Sequence, residues 1–187
     1  TSTVATYGAN NVGVLLLASG EVATFFTAAR EHDVLWTVRW YGSSGTALSE
    51  AMIALKNEAV AEFSTKTRFI NPIFAPTKSE EYVRVRDYVN ATLGTVPDAY
   101  AFAAYDAVWA LAHSLLIVDE YDGEDVRAVL PDVARSISGA SGSIVLDENG
   151  DREYADYDLW TIIEEEGAYN WKRVGTYIAT NDTVIWL

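Results

Sequence analysis

The chain contains no cysteine. That excludes disulfide frameworks, zinc–thiolate sites and thiol catalysis. Basic side chains are scarce: 13 Lys and Arg stand against 27 Asp and Glu, a formal net charge of −14. A surface so poor in cations displaces few counterions, which argues against nucleic acid or an anionic membrane as partner. It favours solubility, in a salty or cell-surface setting. There are two histidines, His32 and His113. They lie far apart, with no His-Glu-x-x-His or carboxylate pattern around them, so both read as ordinary surface or core residues and no metal site is expected. No Gly-x-Ser-x-Gly elbow, Walker loop or Gly-x-Gly-x-x-Gly occurs, so neither catalysis nor a cofactor is expected. No stretch reads as the roughly 20 apolar residues of a membrane span, and there is no low-complexity tract and no internal repeat beyond a doubled strand–corner–helix unit.

What remains is a chain of 187 residues, half of them apolar and rich in aromatics, enough for a sizeable core. It is organised around Val12–Phe26. The apolar run Val12–Ala18 reads as a buried parallel strand, and Val22, Phe25, Phe26 and Ala29 fall at helical spacing within Glu21–Glu31. Between them sits a small polar corner, Ala18-Ser19-Gly20-Glu21. Leu35–Tyr41 alternates and reads as a second strand, ending in the corner Gly42-Ser43-Ser44-Gly45-Thr46, with a helix expected over Ala47–Lys56. Strand, corner and helix thus occur twice, the pattern of a parallel sheet whose ligands sit beyond the strand ends. The opening Thr1–Tyr7 reads as a helix tail stopped by Gly8, and a fragment or processed form is expected.

Further along, Val60–Phe63 is a short helix and Thr67–Ala75 is extended. Ser79–Leu93 is an amphipathic helix capped by Ser79 and stopped by Gly94. Pro97-Asp98 opens the longest helix, to about Val118. It is apolar nearly all round, so burial on most faces is expected. Asp122–Arg135 is a further helix, and Ser138–Gly142 a loop. Strands are expected at Ile144–Leu146, Tyr154–Ile163, Tyr169–Tyr177 and Thr183–Leu187. Asp147–Asp151 lacks the downstream bidentate Glu of a calcium loop and reads as a hairpin turn. Asn90-Ala-Thr92 and Asn181-Asp-Thr183 are sequons.

Several segments in order carry a family likeness: Tyr7-Gly8-Ala9, Trp40-Tyr41-Gly42, Asn71-Pro72, Pro76-Thr77, Pro97–Ala101, Ala104–Val108, Gly139–Gly142, Leu146–Arg152 and Tyr157–Trp160. Together they resemble the C-terminal half of extracellular solute-binding proteins of branched-chain amino acid ABC transporters. The resemblance implies an incomplete type I periplasmic-binding fold: an α/β layered sandwich with a mostly parallel sheet, flanking helices and the first half absent. It implies that residues 1–72 belong to the second ligand-binding lobe. Residues 73–142 would form a helical part completing the first lobe, and residues 143–187 would supply hinge-crossing and closing strands. It further implies a non-enzymatic receptor, extracellular or periplasmic and attached to the cell surface. Its partners would be a small polar solute (an amino acid, amide or carboxylate) and a membrane permease. A homodimer through surfaces left by the missing half is a further expectation.

By the same resemblance Ser19, Gly20 and Glu21 face an interlobe cleft. Hydroxyls and helix N-terminal amides there suit a ligand carboxylate, and Glu21 suits an ammonium. The plain alternative is that Ser19 or Gly20 caps the helix and Glu21 favours its positive end. Tyr41, Ser43 and Ser44 are the candidates at the second corner, which lacks the acidic residue that family members often carry there; a turn and cap is the alternative. Trp40 and Tyr41 are the aromatics best placed for an exposed role. Tyr105 and Asp106 complete the candidate set, since a buried Asp needs a partner; a cap or an interlobe hydrogen bond is the alternative. Two other classes of function compete, a sensor or interaction module that keeps the binding fold, and an α/β hydrolase.

Overall fold

The computed structural model describes residues 2–118 and 121–187. Thr1, part of the expected helix tail, lies outside them. In chain order the elements are α1 (Ser2–Tyr7), β1 (Gly13–Leu15), α2 (Val22–Ala29), α3 (Asp33–Trp36), β2 (Arg39–Tyr41), α4 (Glu50–Ile53), α5 (Glu58–Lys66) and β3 (Asn71–Phe74). Then follow α6 (Glu80–Leu93), α7 (Ala99–Ile117), α8 (Gly123–Ser136), β4 (Ser138–Gly139), β5 (Gly142–Ser143), β6 (Tyr157–Glu165), β7 (Ala168–Ile178) and β8 (Thr183–Trp186). The chain divides into two compact units. The first comprises residues 1–73, 157–177 and 182–187; the second comprises residues 74–156 and 178–181.

The first unit is built on aromatic packing. Phe26 of α2 meets Trp40, Phe63 and Phe69 at ring-centroid distances of 5.1, 5.2 and 4.7 Å. The edge-on approach of its ring to Trp40 and Phe63 suits the ring quadrupoles. β1 and β2 pair in parallel, Val14 opposite Trp40, and an isolated parallel bridge joins Tyr41 to Ile70. β3, β6, β7 and β8 form a four-stranded sheet in that order. Its longest pairing, β6 with β7, is antiparallel and turns through Glu166 and Gly167, both at positive φ (53° and 77°). That is the two-residue turn whose twist matches a hairpin.

Some expected elements are shorter or different. Leu35–Trp36 is helical, and the second strand is reduced to Arg39–Tyr41. The indoles cause this: Trp36 Nε1 donates to the Arg30 carbonyl (2.7 Å) and Trp40 Nε1 to the Leu35 carbonyl (3.0 Å), curling the segment back. The helix expected over Ala47–Lys56 is only Glu50–Ile53 and a separate 3-10 turn, because Leu48 is left-handed and Ala54 extended. Ile144–Leu146 is not a strand but a single bridge, Leu146 to Arg152.

The second unit stands on three capped helices. Ser79 Oγ accepts from the Tyr82 amide, Asp98 Oδ1 from Ala101, and Asp122 Oδ1 from Glu124 and Asp125. Each cap stabilises its helix by about 1 kcal/mol. Gly94 closes α6 at φ 69°. The Tyr82 and Phe102 rings stack at 4.4 Å over a small core with Val85 and Ala140. Asp147 Oδ1 accepts from the amides of Asn149 and Asp151, which makes Asp147–Asp151 an Asx-type turn.

The longest helix departs most from expectation. Only Phe102, Asp106, Ala110 and Ser114 of α7 are buried. Val108 is 67% exposed and Leu116 83%. α7 is also long and apolar enough to cross a membrane by length and composition alone, contrary to the reading that no stretch qualifies. Apolarity all round did not translate into burial because the inner stripe alone, one residue per turn, meets the rest of the unit.

Candidate functional site

The two polar corners meet in the first unit. Ser43 Oγ donates to the Ala18 carbonyl (3.3 Å). Gly45 lies so close to the first corner that a Cβ there would stand 2.6 Å from that carbonyl and 3.4 Å from Ser19 Cβ. The second corner is tied off by Thr46, whose hydroxyl accepts from the Ser43 amide (3.0 Å). Thr46 and Asn71, both fully buried, are joined at 2.6 Å, and Asn71 Nδ2 donates to the Phe69 carbonyl. This latch fits only because residue 42 is glycine: a Cβ there would fall 2.0 Å from Asn71 Oδ1 and 2.4 Å from Thr46 Oγ1.

Ser19, Gly20 and Glu21 remain exposed at the mouth of the first corner. Ser19 Oγ lies 3.4 Å from Glu21 Oε2. Hydrogen bonding from the backbone N–H groups of Glu21 and Ser19 draws the Glu21 carboxyl below its ordinary value. The corner thus presents an exposed carboxylate beside the Ser19 hydroxyl. Neither Ser19 nor Gly20 caps α2 through a side chain; Glu21 occupies the cap position. Ser43 is half-buried and Ser44 exposed. Tyr41 is 41% exposed, its ring lying across Gly13. Trp40, expected to be exposed, is 1% exposed and belongs to the core, because it points to the opposite face of its strand.

Tyr105 and Asp106 lie in the second unit. Asp106 is 3% exposed, and both its oxygens are engaged. Oδ1 accepts from the Ala140 amide (2.6 Å); Oδ2 accepts from the Ser141 amide (2.7 Å) and the Ser141 hydroxyl. Arg152 Nη1 donates to that hydroxyl (2.8 Å). Gly139 must be glycine, since a Cβ would stand 2.5 Å from Asp106 Oδ2. Asp106 thus pins the β4–β5 hairpin, which sequence reading took for plain loop.

The Tyr105 hydroxyl donates to Glu81 Oε1 (2.8 Å) and accepts from Arg84 Nη2 (2.5 Å). Arg84 is also paired directly with Glu81, and these bonds hold the Glu81 carboxyl down to about 2 from an ordinary 4.5. A depressed carboxyl stabilises the fold above its unfolded value and loses that contribution as pH falls towards the folded one. The advantage of the wild type over Glu81→Gln should therefore hold constant above pH 5 and shrink between about pH 4.5 and 2. Urea midpoints measured across that range test this; parallel profiles would contradict it.

Among the described residues no group of three or more His, Asp or Glu is placed to hold a metal ion. His113 packs against the Trp109 ring (5.5 Å between centroids).

The family described as the receptor family ligand binding region matches residues 3–165. The chain belongs to that family. An uncharacterized protein of Methanocaldococcus jannaschii is 27% identical over 190 residues, covering 95% of this chain and 43% of that protein. A leucine binding protein of Thermotoga maritima superposes with a TM-score of 0.59 at 19% identity, covering 91% of this chain and 45% of that one. An ABC transporter substrate-binding protein of Desulfitobacterium hafniense, solved with leucine, gives 0.58 at 18%, covering 91% and 46%. A solute binding protein of R. palustris, solved with benzoate, gives 0.54 at 13%, covering 100% and 47%. The likeness to these structures is one of fold, the α/β type I periplasmic-binding fold. The chain spans less than half the length of each relative. The receptor family is a ligand-binding one, and these neighbours are binding proteins, not enzymes.

Proposed function

We propose that this receptor-family chain is part of an extracellular solute receptor of an ABC importer, and that it reads the ammonium group of a small amino acid at the first corner. The observation that supports this most is Glu21: an exposed carboxylate beside the hydroxyl of Ser19, the residue at which the first corner meets Gly45 of the second. Glu21 would take the ammonium, while Ser19, Ser43 and Ser44 exchange hydrogen bonds with the remaining polar atoms and Tyr41 offers an aromatic edge. Glu21 supplies the acidic group that the second corner itself lacks. In this reading residues 1–72 belong to the second ligand-binding lobe, and a membrane permease takes the delivered solute. The structural neighbours solved with leucine or described as binding it agree in class.

Thermal unfolding with a panel of amino acids and small carboxylates tests the proposal. A solute that binds only the folded chain raises the midpoint with concentration, by RT ln(1 + [L]/Kd) in free energy. A shift with an amino acid that is lost in Glu21→Ala is the expected outcome. A flat panel from a cooperatively folding chain would contradict it.

A further inference from the structure

A cavity of about 270 Å³ opens in the second unit between α7, α8 and the segment following β5. Its walls are apolar and its side chains small: Ala103, Ala107 and Ala110 recur at helical spacing along α7, facing Leu130 and Ala134 of α8 and Ile144. Alanine at four of these positions leaves open a seam that larger residues would fill. A dry apolar cavity of about 150 Å³ already holds a benzene-sized molecule, so this cleft has room for a ring or a branched chain and a short head.

The cleft has one polar end. Arg152, Ser141 and Asp106 line it, joined in series: Arg152 Nη1 donates to Ser141 Oγ, and that hydroxyl donates to Asp106 Oδ2. Arg152 also donates to the Ser143 carbonyl and stacks over the Phe74 ring (4.8 Å). The end therefore offers a cation and an anion joined through a hydroxyl, donors and an acceptor side by side. An ionised head brought here would lose its hydration and meet a charge of its own sign as well as an opposite one.

We infer that this cleft binds a small uncharged amphiphile, with its apolar body along the α7 alanines and a hydroxyl or amide head towards Arg152 and Ser141. The site is independent of the Glu21 corner and takes a different chemical class.

Benzyl alcohol, benzylamine and benzoate share one ring and differ in head charge. Added to the protein with observation of methyl resonances, benzyl alcohol should give saturable shifts confined to Ala103, Ala107, Leu130 and Ile144. The two ionised analogues should bind more weakly. Ala107→Leu fills the cleft from an exposed helical position that tolerates leucine, so the fold, checked by circular dichroism, should survive. That substitution should weaken benzyl alcohol by about tenfold or more, and Glu21→Ala should leave it unchanged. Non-saturating shifts spread over the outer face of α7 at Val108 and Leu115, benzoate or benzylamine binding as well as the alcohol, or indifference to Ala107→Leu would each overturn the assignment.

Discussion

Gly42→Ala should lower the stability of the first unit by about 3 kcal/mol, the upper end of the cost of overpacking. In a domain of this size that is a fall of about 6–12 °C in the unfolding midpoint. The sign is informative. Gly42 does not lie at positive φ, and alanine at such a position ordinarily stabilises slightly by restricting the unfolded chain. Here the added methyl would drive into Asn71 Oδ1, Thr46 Oγ1 and the Phe69 ring at 2.0, 2.4 and 2.7 Å. All three neighbours are fully buried, so none can swing into solvent. Relief requires opening the Thr46–Asn71 bond, which leaves buried polar atoms unpaired. A midpoint within a degree or two of wild type, measured by thermal unfolding, would show that the latch does not constrain the second corner.

Asp106→Ala should cost the second unit about 3–5 kcal/mol, as when one partner of a buried charged network is removed. It strands the Ala140 and Ser141 amides and removes the acceptor of the Ser141 hydroxyl, through which Arg152 is linked to Asp106. Asp106→Asn should cost less, about 1–3 kcal/mol, because one oxygen can still accept while the new amide faces a donor. Hydrogen exchange resolves this locally. Protection at Ala140 and Ser141 should collapse in Asp106→Ala while amides of the Phe26–Trp40 core stay protected. Unchanged protection at the hairpin would refute the pinning role.

The sequence showed some of this and hid the rest for identifiable reasons. The capped starts of α6, α7 and α8 were legible because Ser79, Asp98 and Asp122 act within three residues of themselves. The curl at Leu35–Trp36 was not, because alternation in Leu35–Tyr41 favours a strand and only the two indole hydrogen bonds override it. The exposed outer face of α7 was not legible either, since periodicity shows which residues are apolar and not what covers them. The same limit applied to Asp106. An acidic residue in an apolar helix signals a buried partner, but that partner is a backbone hairpin 34 and 35 residues away. The glycines marked the tightest contacts: Gly42, Gly45 and Gly139 each stand where a Cβ would strike an oxygen. Of the candidate site, the corner residues were visible as polar breaks after apolar runs. That Glu21 stands beside the Ser19 hydroxyl, where the two corners meet, is visible only in three dimensions.

The claim at the centre of this account is that Glu21 reads a ligand amine. The most direct measurement is calorimetric titration of the chain with leucine and with 4-methylpentanoate, which keeps the carboxylate and side chain but lacks the amine, on wild type and on Glu21→Gln. The account predicts that leucine binds the wild type, that the des-amino acid does not, and that Glu21→Gln loses leucine. Equal binding of the two compounds, or leucine binding that survives Glu21→Gln, would contradict it.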